Sequence, residues 1–323
     1  MKRKWLLLCL SLLLWGCETQ TEPVSTQAAA AAVVAETLEA VVEAEAAAMA
    51  QPPAPAVSVV LEPEPSGERE VRCADAVIDY SHTEDGYVMV RYTGQTDKRL
   101  KVLVKGPQTT YSYNLMQDQW TVFPLSDGEG AYQTAVYENV TGTQYAALLS
   151  ARFDVTLRDE FAPFLRPNQY VNYSEAVHTV HKGEQLCAGL THPLEKVAAV
   201  YDFVVSTLTY DEEKARMVQS GYLPVLDTVL QTETGICFDY AALMAAMLRS
   251  QEVPCKLVVG YAGSTYHAWI SVWTEENGWV DGVIFFDGHM WKRMDPTFAS
   301  SQSRSEEIME FIEHGSYTVK YLY

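Results

Sequence analysis

The chain has 323 residues, with 23 basic and 42 acidic side chains and a formal net charge of −19. A polyanion of this kind is repelled by nucleic acid and by anionic surfaces, so nucleic-acid binding is excluded and an anionic substrate must be met by a local patch. Six cysteines without a C-x-x-C pair exclude zinc-ribbon and thioredoxin-type sites, and they are too sparse for a disulfide-stapled scaffold.

Lys2-Arg3-Lys4 followed by the apolar run from Trp5 to Trp15 reads as a targeting signal over residues 1–16. The run is shorter than the roughly 20 apolar residues of a membrane span. Its end, Leu14-Trp15-Gly16-Cys17, resembles a bacterial lipobox. That resemblance implies lipid attachment at Cys17, anchoring to the cell membrane and an extracytoplasmic location. Removal of residues 1–16 takes three basic groups and no acidic ones, which deepens the negative charge. Residues 17–70 read as a tether. Ala28 to Ala50 is dominated by Ala, Val and Glu, and Pro52-Pro53-Ala54-Pro55 and Glu62-Pro63-Glu64-Pro65 impose extended backbone. Such a composition cannot offset its ordering entropy by burial.

Over residues 71–160 the pattern becomes short alternating runs. Val77–Tyr80, Tyr87–Tyr92, Leu100–Val104, Thr109–Tyr113, Trp120–Phe123, Ala131–Tyr137 and Ala151–Leu157 are expected strands, separated by turns such as Glu84-Asp85-Gly86 and Asp127-Gly128-Glu129-Gly130. About seven strands at this spacing predict a small all-β, immunoglobulin-like sandwich. It gathers no chemistry-bearing residues and reads as a spacer or binding module.

Residues 161–323 read as a second, α+β domain. His192-Pro193-Leu194-Glu195 opens a helix running to about Leu208, and residues 210–232 are polar and loop-rich. A helix carrying Cys237 follows, ending near Arg249-Ser250. Strands are then expected at Cys255–Tyr261, His267–Trp273, Trp279–Asp281, Ile284–Phe286 and Trp291–Met294, with Asp281-Gly282 and Asp287-Gly288 as turns. His178, His181 and Glu184 lack the H-E-x-x-H arrangement and sit in an expected loop, so no metal or other cofactor is assigned. A Cys73–Cys187 bridge is compatible with the sequence without being demanded by it.

The chemistry concentrates around Cys237. Thr234 offers a cap hydroxyl, Gly235 permits close backbone approach, and the cysteine falls in the first helical turn. There the helix dipole and unsatisfied N–H groups favour a thiolate, and they can receive the oxyanion of a tetrahedral intermediate. His267 begins a strand and Asp295 ends one at Met294-Asp295-Pro296-Thr297. A thiol, a base and an orienting carboxylate are the parts of a thiol acyl-transfer site.

Thr234-Gly235-Ile236-Cys237-Phe238-Asp239-Tyr240-Ala241, with Leu248-Arg249-Ser250, Val253-Pro254-Cys255-Lys256, Val259-Gly260-Tyr261, His267-Ala268-Trp269 and Asp295-Pro296-Thr297, resembles the bacterial transglutaminase-like superfamily over about residues 195–300. The resemblance implies a papain-like fold. It also implies Cys237 as nucleophile, His267 as general base and acid, and Asp295 as the carboxylate that orients it. A peptide or carboxamide bond of a protein or peptide substrate would be attacked through a thioester. Hydrolysis is slightly favoured over glutamine cross-linking, and a non-catalytic adhesion protein is the rival reading. Gln219, Tyr222 and Gln231 are candidates for a second oxyanion donor. Cys255 is either inert or an oxidation partner of Cys237.

Overall fold

In β4 (Leu100–Lys105) and β5 (Thr110–Leu115) every second side chain is buried, with Leu100, Val102 and Val104 set against Tyr111, Tyr113 and Leu115. This period of two is what a sheet with one face on a core requires. The computed structural model describes residues 57–275, 278–281, 284–286, 291–293 and 317–323. Residues 1–56 with Cys17, the turn glycines 282 and 288, and Asp295 lie outside the described residues.

With β1 (Glu70–Arg72), β2 (Ala76–Asp79), β3 (Tyr87–Tyr92), β6 (Thr121–Pro124), β7 (Gly130–Thr141) and β8 (Gln144–Val155), these strands form two four-stranded antiparallel sheets. Their orders are β1-β2-β3-β6 and β5-β4-β7-β8. β1 is the strand not anticipated, because three residues are too short to show alternation. Residues 57–70, expected as the end of the tether, are tied to the folded part. Val59 N–H donates to Ser250 O at 2.8 Å and Glu64 N–H to the Tyr87 hydroxyl at 3.2 Å.

Among the described residues five α-helices follow: α1 (Val177–Cys187), α2 (Pro193–Thr207), α3 (Glu212–Met217), α4 (Leu226–Thr232) and α5 (Cys237–Arg249). α2 stands where expected, capped by His192, whose Nδ1 accepts from Leu194 N–H at 3.3 Å. Two expectations are corrected. Residues 210–232 are not merely loop, because they hold α3 and α4. Asp211 caps α3 by accepting Lys214 N–H at 2.8 Å, and α4 buries Leu226 and Val229 one turn apart. His178, His181 and Glu184 lie on α1 rather than in a loop; His181 Nδ1 stands 3.6 Å from the Glu184 carboxylate at the surface.

β11 (Cys255–Ala262), β12 (Thr265–Thr274), β13 (Gly278–Asp281) and β16 (Tyr317–Leu322) form an antiparallel sheet in the order β13-β12-β11-β16. β14 (Ile284–Phe286) pairs with β15 (Trp291–Arg293), and the two-residue strands β9 (Thr209–Tyr210) and β10 (Thr234–Gly235) pair in parallel. Helices first and antiparallel sheet after is the α+β arrangement expected.

α5 is the centre of this part. Every residue from Asp239 to Arg249 is buried, and its core neighbours include Leu257 and Val259 of β11 and Ala268, Ile270 and Val272 of β12. Small side chains at 241, 242, 245 and 246 let neighbours come close. On α1, a Cβ at Gly183 would sit 3.2 Å from the Met247 backbone. The far end of α5 is pinned by fully buried Arg249. It donates to Cys255 O at 2.9 Å, Arg166 O at 2.9 Å and Tyr323 O at 2.7 Å. Burial lowers the Arg249 pKa, and the three backbone oxygens satisfy the guanidinium.

Candidate active site

Cys237 is the first residue of α5, and it and Phe238 are the only residues of that helix not buried. The start of the helix is fixed differently from expectation. Thr234 is not the cap, since its hydroxyl donates to Thr232 O at 2.8 Å. The residue before the helix is Ile236, which has no polar side-chain atom. Asp239 instead folds back and accepts the Ile236 N–H at 2.8 Å. This is the reciprocal half of a capping box, made without its hydroxyl half. Gly235 is what makes it fit. A Cβ there would lie 2.6 Å from the Asp239 Cβ, well inside contact distance. Close backbone approach was expected of this glycine, and the side chain it admits is Asp239.

Asp239 is fully buried and is shared by two further donors. Lys214 Nζ reaches one carboxylate oxygen at 2.6 Å, and the Tyr222 hydroxyl donates to the other at 2.5 Å. Lys214 also donates to the Tyr222 oxygen at 2.7 Å. Burial works against the Lys214 charge, but the hydrogen bonds to Asp239 and Tyr222 outweigh it and raise the pKa. Burial, then Asp239, pushes the Tyr222 phenol up to about 12. Lys214 and Tyr222, with Met217 and Val218, border a cleft of about 480 Å³. The backbone leading into α5 is held to the same segment, because Asp211 N–H donates to Gly235 O at 2.9 Å and Thr209 N–H to Glu233 O at 2.8 Å. None of these partners was singled out in sequence except Tyr222, and that residue for another role. They lie many residues upstream of Asp239 and leave no local periodic signal.

His267 lies on β12, the strand packed against α5, and is 5% exposed. It pairs with Gly260 of β11. Residues directly opposite in an antiparallel pair share a face, and alternate residues along a strand do the same. His267 therefore shares a face with Trp269, whose ring centroid is 6.4 Å away. A Cβ on Gly260 would collide with Thr318 O and with the Trp269 ring, so glycine there lets β16 and the indole close over the sheet. Tyr266, one residue earlier, belongs to the other face with Ala268, Ile270 and Val272, against which α5 packs. Asp295, the third member of the expected set, lies outside the described residues.

The remaining cysteines separate clearly. All four in the described residues are free thiols: Cys73 exposed, Cys237 half-buried, Cys187 and Cys255 buried. Burial pushes Cys187 up to about 11 and Cys255 up to about 12. Cys255 adjoins Arg249, at the opposite end of α5 from Cys237. Twelve helical steps separate those ends by about 18 Å, far beyond the Cα spacing of a disulfide. Of the oxyanion candidates, the Tyr222 hydroxyl donates its hydrogen bond to Asp239, and the Gln219 amide donates to Met217 O at 2.9 Å.

The model of the transglutaminase-like superfamily matches residues 181–281, the segment from α1 to the end of β13. A Pseudomonas aeruginosa protein named protein-glutamine gamma-glutamyltransferase is 29% identical over 98 residues, covering 26% of this chain and 13% of the relative. The uncharacterised Bacillus subtilis protein YebA is 28% identical over 197 residues, covering 54% of this chain and 26% of the relative. The chain thus spans about a quarter or less of these curated relatives. Red sea bream transglutaminase is similar at 11% identity with a TM-score of 0.28, over 72% of this chain and 56% of the other.

Proposed function

From the premise that residues 181–281 are a transglutaminase-like superfamily domain, we propose that this chain is a thiol-dependent acyl-transfer enzyme with Cys237 as nucleophile. Members of the superfamily are generally cysteine-dependent enzymes. The observation that carries the reading is the isolation of Cys237. It is the accessible tip of an otherwise buried helix, in the first turn, where the terminal N–H groups can receive an oxyanion. His267 is the proposed general base and then the acid that protonates the leaving amine, with Asp295 orienting its imidazole; this pairing rests on the His267-Ala268-Trp269 motif, since register sets His267 on the face of β12 away from α5.

In this reading the thiolate attacks a carboxamide or peptide carbonyl, the amine leaves, and a thioester remains on Cys237. Water then resolves it, which makes the enzyme a peptidase or amidase. The printed activity of the Pseudomonas aeruginosa relative favours a second reading, in which a primary amine resolves the thioester. The lipobox-like Leu14-Trp15-Gly16-Cys17 supports lipid anchoring at Cys17 and protein or peptide substrates outside the cytoplasm.

Iodoacetamide at mildly acidic pH tests the nucleophile. Selective, rapid alkylation of Cys237 over exposed Cys73 is expected, and equal sluggishness at both removes the catalytic reading in favour of a binding protein. A glutamine-containing peptide incubated with a primary amine separates the acceptors: cleaved or deamidated peptide alone supports hydrolysis, and an amine adduct supports cross-linking. An N-terminus without lipid at Cys17, read by mass spectrometry of membrane-extracted protein, rejects the anchor.

A further inference from the structure

The reading above leaves Tyr266 without a role, yet it is the β12 residue turned toward the mouth of α5. Register fixes this: it pairs with Tyr261 and shares a face with Ala268, Ile270 and Val272, which pack against α5. Its ring stands edge-on to Tyr261 at 5.5 Å, and the side chain is 56% exposed, so it borders solvent rather than the core. Its phenol is held above the ordinary range by burial first, then by Tyr321, Tyr261 and Cys237. The far end of α5 lies beside Cys255 at the start of β11, so its first turn, about 18 Å away along this sheet face, comes toward the Tyr261–Tyr266 end of the hairpin. Of the donors considered from sequence, Tyr222 is engaged on Asp239 and Gln219 on Met217, while Gln231 is exposed on α4.

We propose that Tyr266 is the second oxyanion donor of this site, its O–H acting with the backbone N–H groups at the start of α5. The assignment rests on Cys237 being the nucleophile. As the Cys237 sulfur bonds to the carbonyl carbon, the π pair moves onto the oxygen. Tyr266 donates a hydrogen bond to that oxygen without transferring its proton. Collapse restores the carbonyl and expels the leaving group, and an amine leaves carrying the proton that the Cys237 thiol gave up. A preorganised neutral donor acts here because it is aimed where charge develops and needs no reorganisation during the step.

The test uses the full chain and p-nitrophenyl acetate, an activated ester whose phenolate leaves without needing a proton. Acylation of Cys237 is followed by stopped-flow and located by mass spectrometry. Tyr266→Phe is expected to slow acylation on the order of 100-fold. Iodoacetamide alkylation of Cys237 should keep its rate and pH profile, because thiolate formation does not use the donor. Tyr261→Phe, on the same edge, should acylate as the wild type does. Acylation of Tyr266→Phe within about twofold of wild type overturns the proposal, as does a loss matched by an equal loss in alkylation. A wild-type chain not acylated at Cys237, or a Cys237→Ala chain acylated just as fast, overturns the nucleophile assignment and this proposal with it.

Discussion

Asp239 tests how the mouth of α5 is held. Its carboxylate is fully buried and accepts from Ile236 N–H at 2.8 Å, Lys214 Nζ at 2.6 Å and the Tyr222 hydroxyl at 2.5 Å. Truncation to alanine leaves an ammonium with 28% side-chain exposure, a phenol and a helix-terminal N–H all without their acceptor. Removing one member of a buried ion pair costs about 3–5 kcal/mol. Asn keeps the shape and one acceptor oxygen but loses the charge, so about half of that is expected for Asp239→Asn. At about 2–4 °C per kcal/mol for a folded unit of this size, Asp239→Ala should lower the melting temperature by about 6–20 °C. Lys214→Met leaves the carboxylate buried and uncompensated and should also destabilise. The double variant should fall short of the sum, because the two share one interaction. Thermal melts followed by circular dichroism read the four variants against the wild type. A melting temperature for Asp239→Ala within about 2 °C of wild type, or strict additivity in the double variant, would refute the network as the clamp on the helix start.

Arg249→Met withdraws a donor from three backbone oxygens at once, of which Tyr323 O keeps the Leu257 N–H, and urea unfolding should show a loss of at least about 2 kcal/mol; unchanged stability would show the oxygens of Cys255 and Arg166 to be otherwise satisfied. Iodoacetamide under native conditions should label Cys73 and Cys237 and spare Cys187 and Cys255, all four reacting after unfolding; native labelling of Cys255 would contradict its full burial. Tyr170 and Tyr222 are pushed up to about 12 by burial, and Lys214 is raised through Asp239 and Tyr222. Folded-state values above the unfolded ones mean stability is fully present below about pH 10 and lost as pH rises through about 12. Urea midpoints measured between pH 8 and pH 12 should fall across that window, and a flat or rising profile would reverse the sign.

The parts legible in sequence are those where a local period carries the information. Leu100–Lys105 and Thr110–Leu115 alternate because one face of each is core, and Val197, Val200, Tyr201 and Val204 of α2 recur at helical spacing for the same reason. The short helices α3 and α4 were hidden because six or seven residues show barely two turns, and the polar segment around them reads as loop. The cap of α5 was misread for a different reason. A hydroxyl residue near a helix start is the usual signal, and Thr234 supplies one two residues too early to act. The true acceptor, Asp239, sits inside the helix, and its partners Lys214 and Tyr222 meet it only through tertiary packing.

The same distinction governs the site. Cys237 and His267 stand out by residue type, so sequence names them, whereas the orientation of a strand residue depends on register. Pairing Tyr261 with Tyr266 and Gly260 with His267 assigns adjacent residues of β12 to opposite faces of the sheet. α5 is pinned by Arg249 at one end and Asp239 at the other, and it is packed by small side chains between them. Such a helix cannot shift its first turn to suit a ligand without losing buried polar contacts at both ends. Adaptation to a substrate must then come from what surrounds that turn. On one side is the 211–222 segment with its cleft of about 480 Å³, and on the other is the Tyr261–Tyr266 end of the β11–β12 hairpin. Substitutions in those two segments that change side-chain size should therefore alter substrate preference while leaving the reactivity of the Cys237 thiol in place, Tyr222 and Tyr266 excepted, because the Tyr222 hydroxyl also holds the helix start and the Tyr266 hydroxyl is the proposed oxyanion donor.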